Sequence, residues 1–239
     1  KHNPANPFWK DRDRFVLSAG HGSMLIYSLL HLCGYESVSL EEIKNFRQWG
    51  SKTPGHPEQR DTPGVETTTG PLGQGCGNAI GIAIADAWQR AMFGEIVDHR
   101  TYAIVSDGDL MEGVAAEAVS LAGHLGLNRL IFFYDDNQVS IEGKTDLAYS
   151  DDVATRFKGY RWNVLEIDGQ DHGQIVKALE TARMEKGRPT IIIGKTTIGF
   201  GSPKLQGTPK AHSDAFGAEE VAATKRNLGW PEDMFFLVP

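Results

Sequence analysis

Two short apolar runs that end in acidic or amide side chains constrain the fold of this chain more than any other feature. Residues 101–106 lead directly into Asp107, and residues 129–134 are followed closely by Asn137. The spacing of 30 residues between Asp107 and Asn137 suits a strand, a crossover helix and a second strand, the connection that a parallel pair requires. The sequence therefore predicts a parallel α/β unit with both side chains in one crevice at the edge of the sheet.

The segment between these runs has the pattern of the expected crossover helix. Residues 114–122 are rich in Ala and carry apolar side chains at helical spacing, and Gly123 and Gly126 follow near its expected end. A lone Asp-Gly pair after a strand is usually a turn. The matching Asn137, one crossover later, favours a ligand site instead.

The oxygen atoms at these strand ends predict a metal site. Asp107 offers a carboxylate, Asn137 a carboxamide and Val139 a backbone carbonyl. Such ligands suit a hard cation, magnesium or calcium, rather than zinc. Because magnesium also favours phosphate oxygens, a metal beside the Gly108 backbone is interpreted as an anchor for a diphosphate.

A second phosphate-binding element is predicted upstream. Residues 67–75 are rich in Thr and Gly and lead into the helical run 78–92. The free N–H groups and the dipole at the start of such a helix attract anions. Residues 50–73 hold four prolines and five glycines, and a connection of that length is typical of a binding loop.

The fold class predicted from the whole pattern is α/β, a doubly wound and mostly parallel sheet with helices on both faces. The three isoleucines at 191–193 suit a strand buried on both sides. Ser39, with Glu42 three residues on, marks the start of a helix. Further strands are expected at 14–17, 163–167 and 190–195, and further helices at 22–33, 40–49, 151–158 and 174–185.

Composition limits the classes of partner and the number of domains. The chain has 239 residues, of which 40% are hydrophobic, enough for one α/β core. We expect a single domain over residues 1–239, with an extension from about residue 200. A net charge of −7 gives no basic field for nucleic acid or an anionic membrane. No apolar run approaches the ~20 residues of a membrane span, and the isolated Cys33 and Cys76 predict a reducing, cytoplasmic compartment.

At the level of motifs, the chain resembles the diphosphate-binding domain of transketolases, which are thiamine diphosphate enzymes. Asp107-Gly108, followed one crossover later by Asn137, is similar to the thiamine diphosphate signature. Matching blocks occur in the family's order over nearly the whole chain. They are residues 15–24, 51–58, 64–75, 107–113, 134–137 and 195–203.

The resemblance implies which residues hold the cofactor and its metal. Magnesium, for which calcium can substitute, is implied to bind Asp107, Asn137 and the carbonyl of Val139. The implied contacts to thiamine diphosphate are His21, Gly70, Pro71, Leu72, Gly108, Asn137 and His212.

The resemblance also implies a reaction, the transfer of a two-carbon ketol unit between ketose and aldose phosphates, in which the cofactor ring stabilises a carbanion. His56 and His212 are implied to line the substrate channel and to handle protons. Glu112 and Glu117 match acidic residues that meet the partner subunit near the cofactor's pyrimidine.

Two positions depart from the family pattern. Ser106 stands where the signature has its first glycine, which we expect to matter little because the metal and phosphate contacts lie on the next two residues. In the segment 208–213 only the second of the family's two histidines is present, as His212.

Transketolases extend beyond the blocks matched here. The resemblance implies a Gly-His-Pro segment before Lys1, and a pyrimidine-binding domain and a C-terminal domain after Pro239. The pyrimidine-binding domain supplies the glutamate that activates the cofactor. We therefore expect this chain to hold half of a cofactor site, to be inactive alone, and to require a pyrimidine-binding domain or subunit. Sugar phosphates are the expected substrates, and the complete enzyme is expected to be a homodimer.

Three alternatives remain open at this point. The chain could be a non-catalytic or split-subunit module that needs a separate pyrimidine-domain chain. A dihydroxyacetone synthase is too similar to separate, whereas residues 52–57 and 198–202 favour transketolase over deoxyxylulose phosphate synthase and the pyruvate dehydrogenase alpha chain. The glycines of residues 73–77 suggest a dinucleotide-dependent dehydrogenase, but Asn78 stands where the fingerprint requires a third glycine.

Overall fold

A parallel sheet organises the fold, and the computed structural model describes it, with the rest of the chain, over residues 1–238. Its strands run in the order β1-β2-β3-β5-β4, and every neighbouring pair is parallel. The strands are β1 (Arg14–Leu17), β2 (Thr101–Ser106), β3 (Leu130–Asp136), β4 (Asn163–Asp168) and β5 (Thr190–Lys195).

Helices connect the strands and cover the sheet. In chain order they are α1 (Met24–Leu32), α2 (Leu40–Lys44), α3 (Gln74–Phe93), α4 (Asp107–Met111), α5 (Gly113–Leu125), α6 (Val153–Gly159), α7 (His172–Met184), α8 (Lys210–Ser213) and α9 (Gly217–Asn227). Among residues 1–238, none of the helices combines the length and the apolar character that crossing a bilayer needs.

Side chains alternate along the strands between two faces of the sheet, and each face is buried. Val105 and Phe132 lie in the larger core, which α3, α5 and α6 cover. On the opposite face Leu17 packs with α1, and Ile131 and Ile192 pack with α7. Helices on both faces of a parallel sheet confirm the predicted doubly wound α/β class.

β2 and β3 are neighbours, with Ser106 paired to Asp135 at their carboxyl ends. The main crossover helix between them is α5, and Gly126 follows its last residue with a φ of 64°, a left-handed conformation that glycine adopts without steric cost. The predicted parallel pairing is confirmed. Asp107 and Asn137 therefore follow adjacent strands at the same edge of the sheet.

Helix α2 is shorter than the sequence predicts. Its cap is as expected, since the Ser39 hydroxyl oxygen accepts a hydrogen bond from the Glu42 amide at 3.3 Å, but the helix ends well before residue 49. Arg47 takes a φ of 63°, and its amide donates to the carbonyl of Thr53 at 2.9 Å. This bond to the loop replaces the next helical turn.

Two other features differ from the prediction, the start of α3 and the presence of α4. Helix α3 begins at Gln74 rather than at residue 78, directly after Gly73, which takes a φ of 78°. After β2 the chain forms the one-turn helix α4, which was not among the predicted helices. Ser106 caps it, and Asp109 completes a reciprocal capping box with the Ser106 amide.

Candidate functional site

Asp107 is the first residue after β2, and its side chain is buried. It accepts a hydrogen bond from the hydroxyl of Tyr134 on β3. Burial raises the pKa of Asp107 to about 6, and the charges of Asp136 and Asp135 act in the same direction. The end of β2 therefore carries a buried carboxyl group that lies near other acids. A bound cation would stabilise this arrangement.

The chain turns sharply just after β3. Gln138 takes a φ of 59°, a conformation uncommon for residues with a side chain. The Asn137 carboxamide oxygen accepts a hydrogen bond from the Val139 amide at 3.0 Å, and its nitrogen donates to Asp135 at 3.0 Å. The Asn137 oxygen keeps a second lone pair for another partner.

The acidic side chains at the ends of β2 and β3 do not form a complete set of protein ligands around a metal position. Within residues 1–238, no group of three or more His, Cys, Asp or Glu side chains has the arrangement of a metal site. Magnesium does not need one, because it takes one or two carboxylates and fills its other positions with water and phosphate oxygens. A cavity of about 340 Å³ lies beside Asp107, and Tyr134, Asp136, Lys144 and Lys195 also line it.

The loop that contains Gly70 packs directly on the chain that follows β1. Thr69 is buried, and its hydroxyl donates to the carbonyl of Leu17 at 2.7 Å. A Cβ on Gly20 would lie 2.8 Å from the backbone nitrogen of Gly70, so only glycine permits this approach. The predicted cofactor-binding segments around His21 and Gly70 are therefore in contact.

The same loop also meets the segment after β2. A Cβ on Gly108 would lie 2.8 Å from the Cδ1 atom of Leu72, and a Cβ on Gly73 would lie 2.7 Å from the Cβ of Glu112. Pro71 is exposed on the outer side of the loop. The loop is thus wedged between the ends of β1 and β2, and the structure brings Leu72 and Gly108 together.

Three histidines that the sequence singled out lie close to one another. The rings of His21 and His212 are 5.1 Å apart between centroids and inclined by 36°. The His56 ring lies against Gly70, where an added Cβ would be 3.3 Å from it. Partial desolvation lowers the pKa of His21, and the positive charges of His212 and His56 lower it further, against the opposing effect of Asp109. Residues far apart in the chain thus form one cluster.

Glu112 and Glu117 lie on exposed parts of α5 and its N-terminal cap. Glu112 packs against Gly73 at the margin of the loop. The two side chains are separated along the helix so that they leave it in different directions. The structure therefore does not join them in one cluster, and both are accessible to another chain.

Asp109 is a residue of this edge that the sequence did not predict. It is fully buried, and its carboxylate accepts hydrogen bonds from Ser18, Gly73 and Ser106. One local signal existed, because Ser106 and Asp109 have the spacing of a capping box. The bonds to Ser18 and Gly73 join distant parts of the chain, and no local pattern indicates them.

Comparison with known sequences gives a family for the whole chain. Residues 1–239 match the family model described as "Transketolase, thiamine diphosphate binding domain". The chain is 55% identical to the chloroplastic transketolase of Zea mays over 243 residues, which covers 99% of this chain and 36% of that protein. It is 56% identical to the transketolase of Geobacillus stearothermophilus, over 100% of this chain and 36% of that protein.

Solved structures agree. The transketolase of Campylobacter jejuni matches with a TM-score of 0.97 at 47% identity, covering 100% of this chain and 38% of that one. The transketolase from Leishmania mexicana matches with a TM-score of 0.97 at 48% identity, covering 100% of this chain and 36% of that one. The chain thus spans little more than a third of the length of these relatives. By sequence and by fold it belongs to the transketolase family, in which it corresponds to the thiamine diphosphate-binding domain.

Proposed function

We propose that this chain provides the diphosphate- and metal-binding half of a transketolase active site. The complete protein would transfer a two-carbon ketol unit from a ketose phosphate to an aldose phosphate, with thiamine diphosphate and magnesium as cofactors and calcium able to substitute. One observation carries the proposal: Asp107 and Asn137 follow adjacent parallel strands, at an edge where Leu72 contacts Gly108. Similarity to transketolases over the whole chain supports it.

The residues at this edge fit a magnesium diphosphate. A cation would relieve the charge of buried Asp107, whose pKa is raised by burial and by neighbouring acids. At Gly20 a Cβ would meet the backbone of Thr69 and Gly70, so only glycine lets these two segments pack together, and Gly108 lies against the end of the Leu72 side chain. Helix α3 begins beside them and adds its positive dipole end.

Within the proposed site, the residues of this chain bind and orient. Magnesium would be held by Asp107, Asn137 and the Val139 carbonyl. When bound, thiamine diphosphate supplies a ring that stabilises the carbanion left by the broken carbon–carbon bond. Its proposed contacts are His21, Gly70, Pro71, Leu72, Gly108, Asn137 and His212.

The histidine cluster is the proposed means of handling protons and sugar hydroxyls. His56 and His212 would face the substrate, with His21 beside them. Because the pKa of His21 is lowered, its ring is neutral near pH 7, with one nitrogen as donor and the other as acceptor. A neutral ring can bind a hydroxyl group and pass a proton without a change of net charge.

We infer that another domain or subunit completes the site and that the complete protein is a homodimer. Ile84, Trp88 and Met92 are exposed at 36%, 59% and 62% and follow one another at helical spacing along α3. An exposed apolar stripe of this kind suits an interface between proteins. Glu112 and Glu117, both exposed, would meet the partner near the cofactor's pyrimidine.

The proposed setting is pentose phosphate metabolism in the cytoplasm. The Zea mays relative is named as chloroplastic, so cell fractionation is the measurement that decides the compartment. A dihydroxyacetone synthase would differ in its acceptor, since a two-carbon ketol unit added to formaldehyde gives dihydroxyacetone. A split-subunit module would instead require a second polypeptide before any acceptor is used.

The test uses the full-length protein and two strand-end variants. Asp107→Ala is expected to abolish magnesium-dependent binding of thiamine diphosphate and ketol transfer from xylulose 5-phosphate. Asp168→Ala, which removes an exposed acid at the end of β4, should leave both intact. Calorimetric titration and circular dichroism separate loss of binding from loss of fold. Tight, metal-dependent binding by the Asp107 variant would contradict the proposal.

A further inference from the structure

The Asp109 carboxylate lies at the centre of a hydrogen-bond network that the proposed chemistry does not use. Its Oδ1 atom accepts from the Ser18 hydroxyl at 2.7 Å and from the Gly73 amide at 2.8 Å. Its Oδ2 atom accepts from the Ser106 amide at 2.9 Å and from the Ser106 hydroxyl at 3.0 Å. Four donors occupy the four lone-pair positions that a carboxylate offers.

These donors belong to three separate segments of the proposed cofactor site. Ser18 follows β1 and precedes His21, and Gly73 follows the Gly70 loop and caps α3. Ser106 ends β2 immediately before Asp107. One fully buried carboxylate therefore ties together all three segments.

The network reaches further than helix capping requires. The bonds with Ser106 account for the cap of α4. The bonds with Ser18 and Gly73 span 91 and 36 residues of the chain and contribute nothing to that cap. Packing adds to the constraint, since a Cβ on Gly75 would lie 2.4 Å from the Cα of Ser18.

We propose that Asp109 is a positioning residue for the diphosphate site. Asp109 holds the Gly70 loop and the segment around His21 in fixed positions relative to the end of β2, where Asp107 lies. The inference rests on the proposed function, and it assigns Asp109 no contact with the cofactor. Held in place before binding, the site would lose little conformational freedom when a ligand arrives.

The substitution Asp109→Asn separates this role from simple filling of space. Asparagine has nearly the same shape, but one of its ends donates hydrogen bonds. In one orientation of the asparagine side chain, its NH₂ group faces the Gly73 amide and the Ser18 hydroxyl. In the flipped orientation, the NH₂ group faces the amide and the hydroxyl of Ser106. Either way a backbone N–H, that of Gly73 or that of Ser106, loses its acceptor, which is costly.

The experiment compares full-length wild type, Asp109→Asn and the control Asp86→Asn. Asp86 is also buried, at 3% exposure, and lies on α3, so its variant makes the same chemical change outside the network. The affinity for thiamine diphosphate with magnesium is measured by calorimetry at 25 °C. Thermal unfolding without ligand and hydrogen exchange of the Gly73 amide are measured alongside.

Asp109→Asn is expected to weaken cofactor binding by about 10- to 100-fold and to speed exchange at Gly73. The KM for the cofactor should rise while kcat at saturating cofactor stays near that of wild type, since Asp109 touches no reacting group. Asp86→Asn should bind within about twofold of wild type. Lower thermal stability of the Asp109 variant with unchanged affinity would overturn the inference, because it would show a purely structural role.

A milder variant keeps the question open to test should Asp109→Asn fail to fold. Ser18→Ala removes one donor and leaves three bonds to Asp109, and it should weaken cofactor binding by about 3- to 10-fold. Unchanged affinity in that variant would overturn the inference. Wild-type protein that binds no thiamine diphosphate would instead refute the proposed function, and with it the positioning role.

Discussion

The two sides of the candidate site are built in opposite ways. On the side of β1 and the start of α3, the buried side chains of Asp109 and Thr69 have their partners: Asp109 accepts four hydrogen bonds, and the Thr69 hydroxyl donates to the carbonyl of Leu17. On the side of β3, buried Asp107 lies near other acids and Gln138 takes a left-handed backbone conformation. The hydrogen bonds of the first side are made without a ligand, whereas the charges of the second side would be stabilised by the proposed cation. A protein can thus hold one half of a site rigid and leave the other half dependent on its ligand.

The largest effect that we expect is the difference in reactivity between the two cysteines. This difference tests whether the β1–α3 side is closed to solvent in the absence of a ligand. Burial, with a contribution from the charge of Asp109, raises the pKa of Cys76 to about 12. At pH 8 such a thiol is only about 10⁻⁴ ionised. In ligand-free protein, iodoacetamide should modify exposed Cys33 at least about 1000-fold faster than Cys76. Mass spectrometry measures both rates, and comparable labelling would show that this side opens.

A second test introduces a methyl group into the packed side. The Gly75→Ala variant should lower the free energy of unfolding by about 1–3 kcal/mol, because its Cβ would lie 2.4 Å from the Ser18 Cα. Gly81→Ala on the same helix has nothing within 4 Å and should raise stability by about 0.5–1 kcal/mol. Urea unfolding measures both changes. Equal effects would show that the packing at Ser18 is loose.

On the β3 side, a substitution is expected to change stability with the opposite sign. Without ligand, Asp107→Asn should raise the free energy of unfolding by about 1 kcal/mol, because it removes a buried charge that Asp136 and Asp135 oppose. Asp168→Asn, at the exposed end of β4, is the control. Added magnesium and thiamine diphosphate should stabilise wild type and not the Asp107 variant. If Asp107→Asn destabilises the free protein, this side is as complete as the other.

The smallest effect concerns the histidines between the two sides. His212→Gln removes a positive charge that lowers the pKa of His21, so that pKa should rise. Because the pKa of His21 is lower in the folded than in the unfolded state, the unfolded state binds the proton more readily, and the free energy of unfolding falls as the pH drops below 6.5. In the His212→Gln variant this loss of stability at low pH should be smaller. NMR titration of the His21 ring measures the shift, with exposed His172→Gln as the control. An unmoved titration curve would mean that the two rings are not coupled.

The contacts on the β3 side were easier to predict from the sequence than those on the β1–α3 side, and the reason is physical. Asp107 and Asn137 follow consecutive strands, so crossover length and strand pattern bring them to one edge without knowledge of the rest of the fold. Asp109 meets Ser18 and Gly73 only after β1 and α3 have docked. Local patterns carry no information about that contact.

Smaller differences follow the same rule. The Ser39 cap of α2 was predictable because its partner lies three residues away. The early end of that helix was not, because it depends on a hydrogen bond from Arg47 to Thr53 within an irregular loop. The approach of His21 to His212 links chain segments from opposite ends of the domain, and only the family resemblance pointed to it.

The order in which the three tied segments occur along the chain has a consequence for synthesis. On a nascent polypeptide, the hydrogen bonds to Asp109 cannot form until residue 109 has left the ribosome. The segment after β1 and the Gly70 loop, which donate to Asp109, emerge before it. The turn at Asn137 comes next, and His212 arrives last of all. The proposed contacts to the diphosphate should therefore form on the growing chain before the proposed cation ligands are complete, and the histidine cluster should form after both.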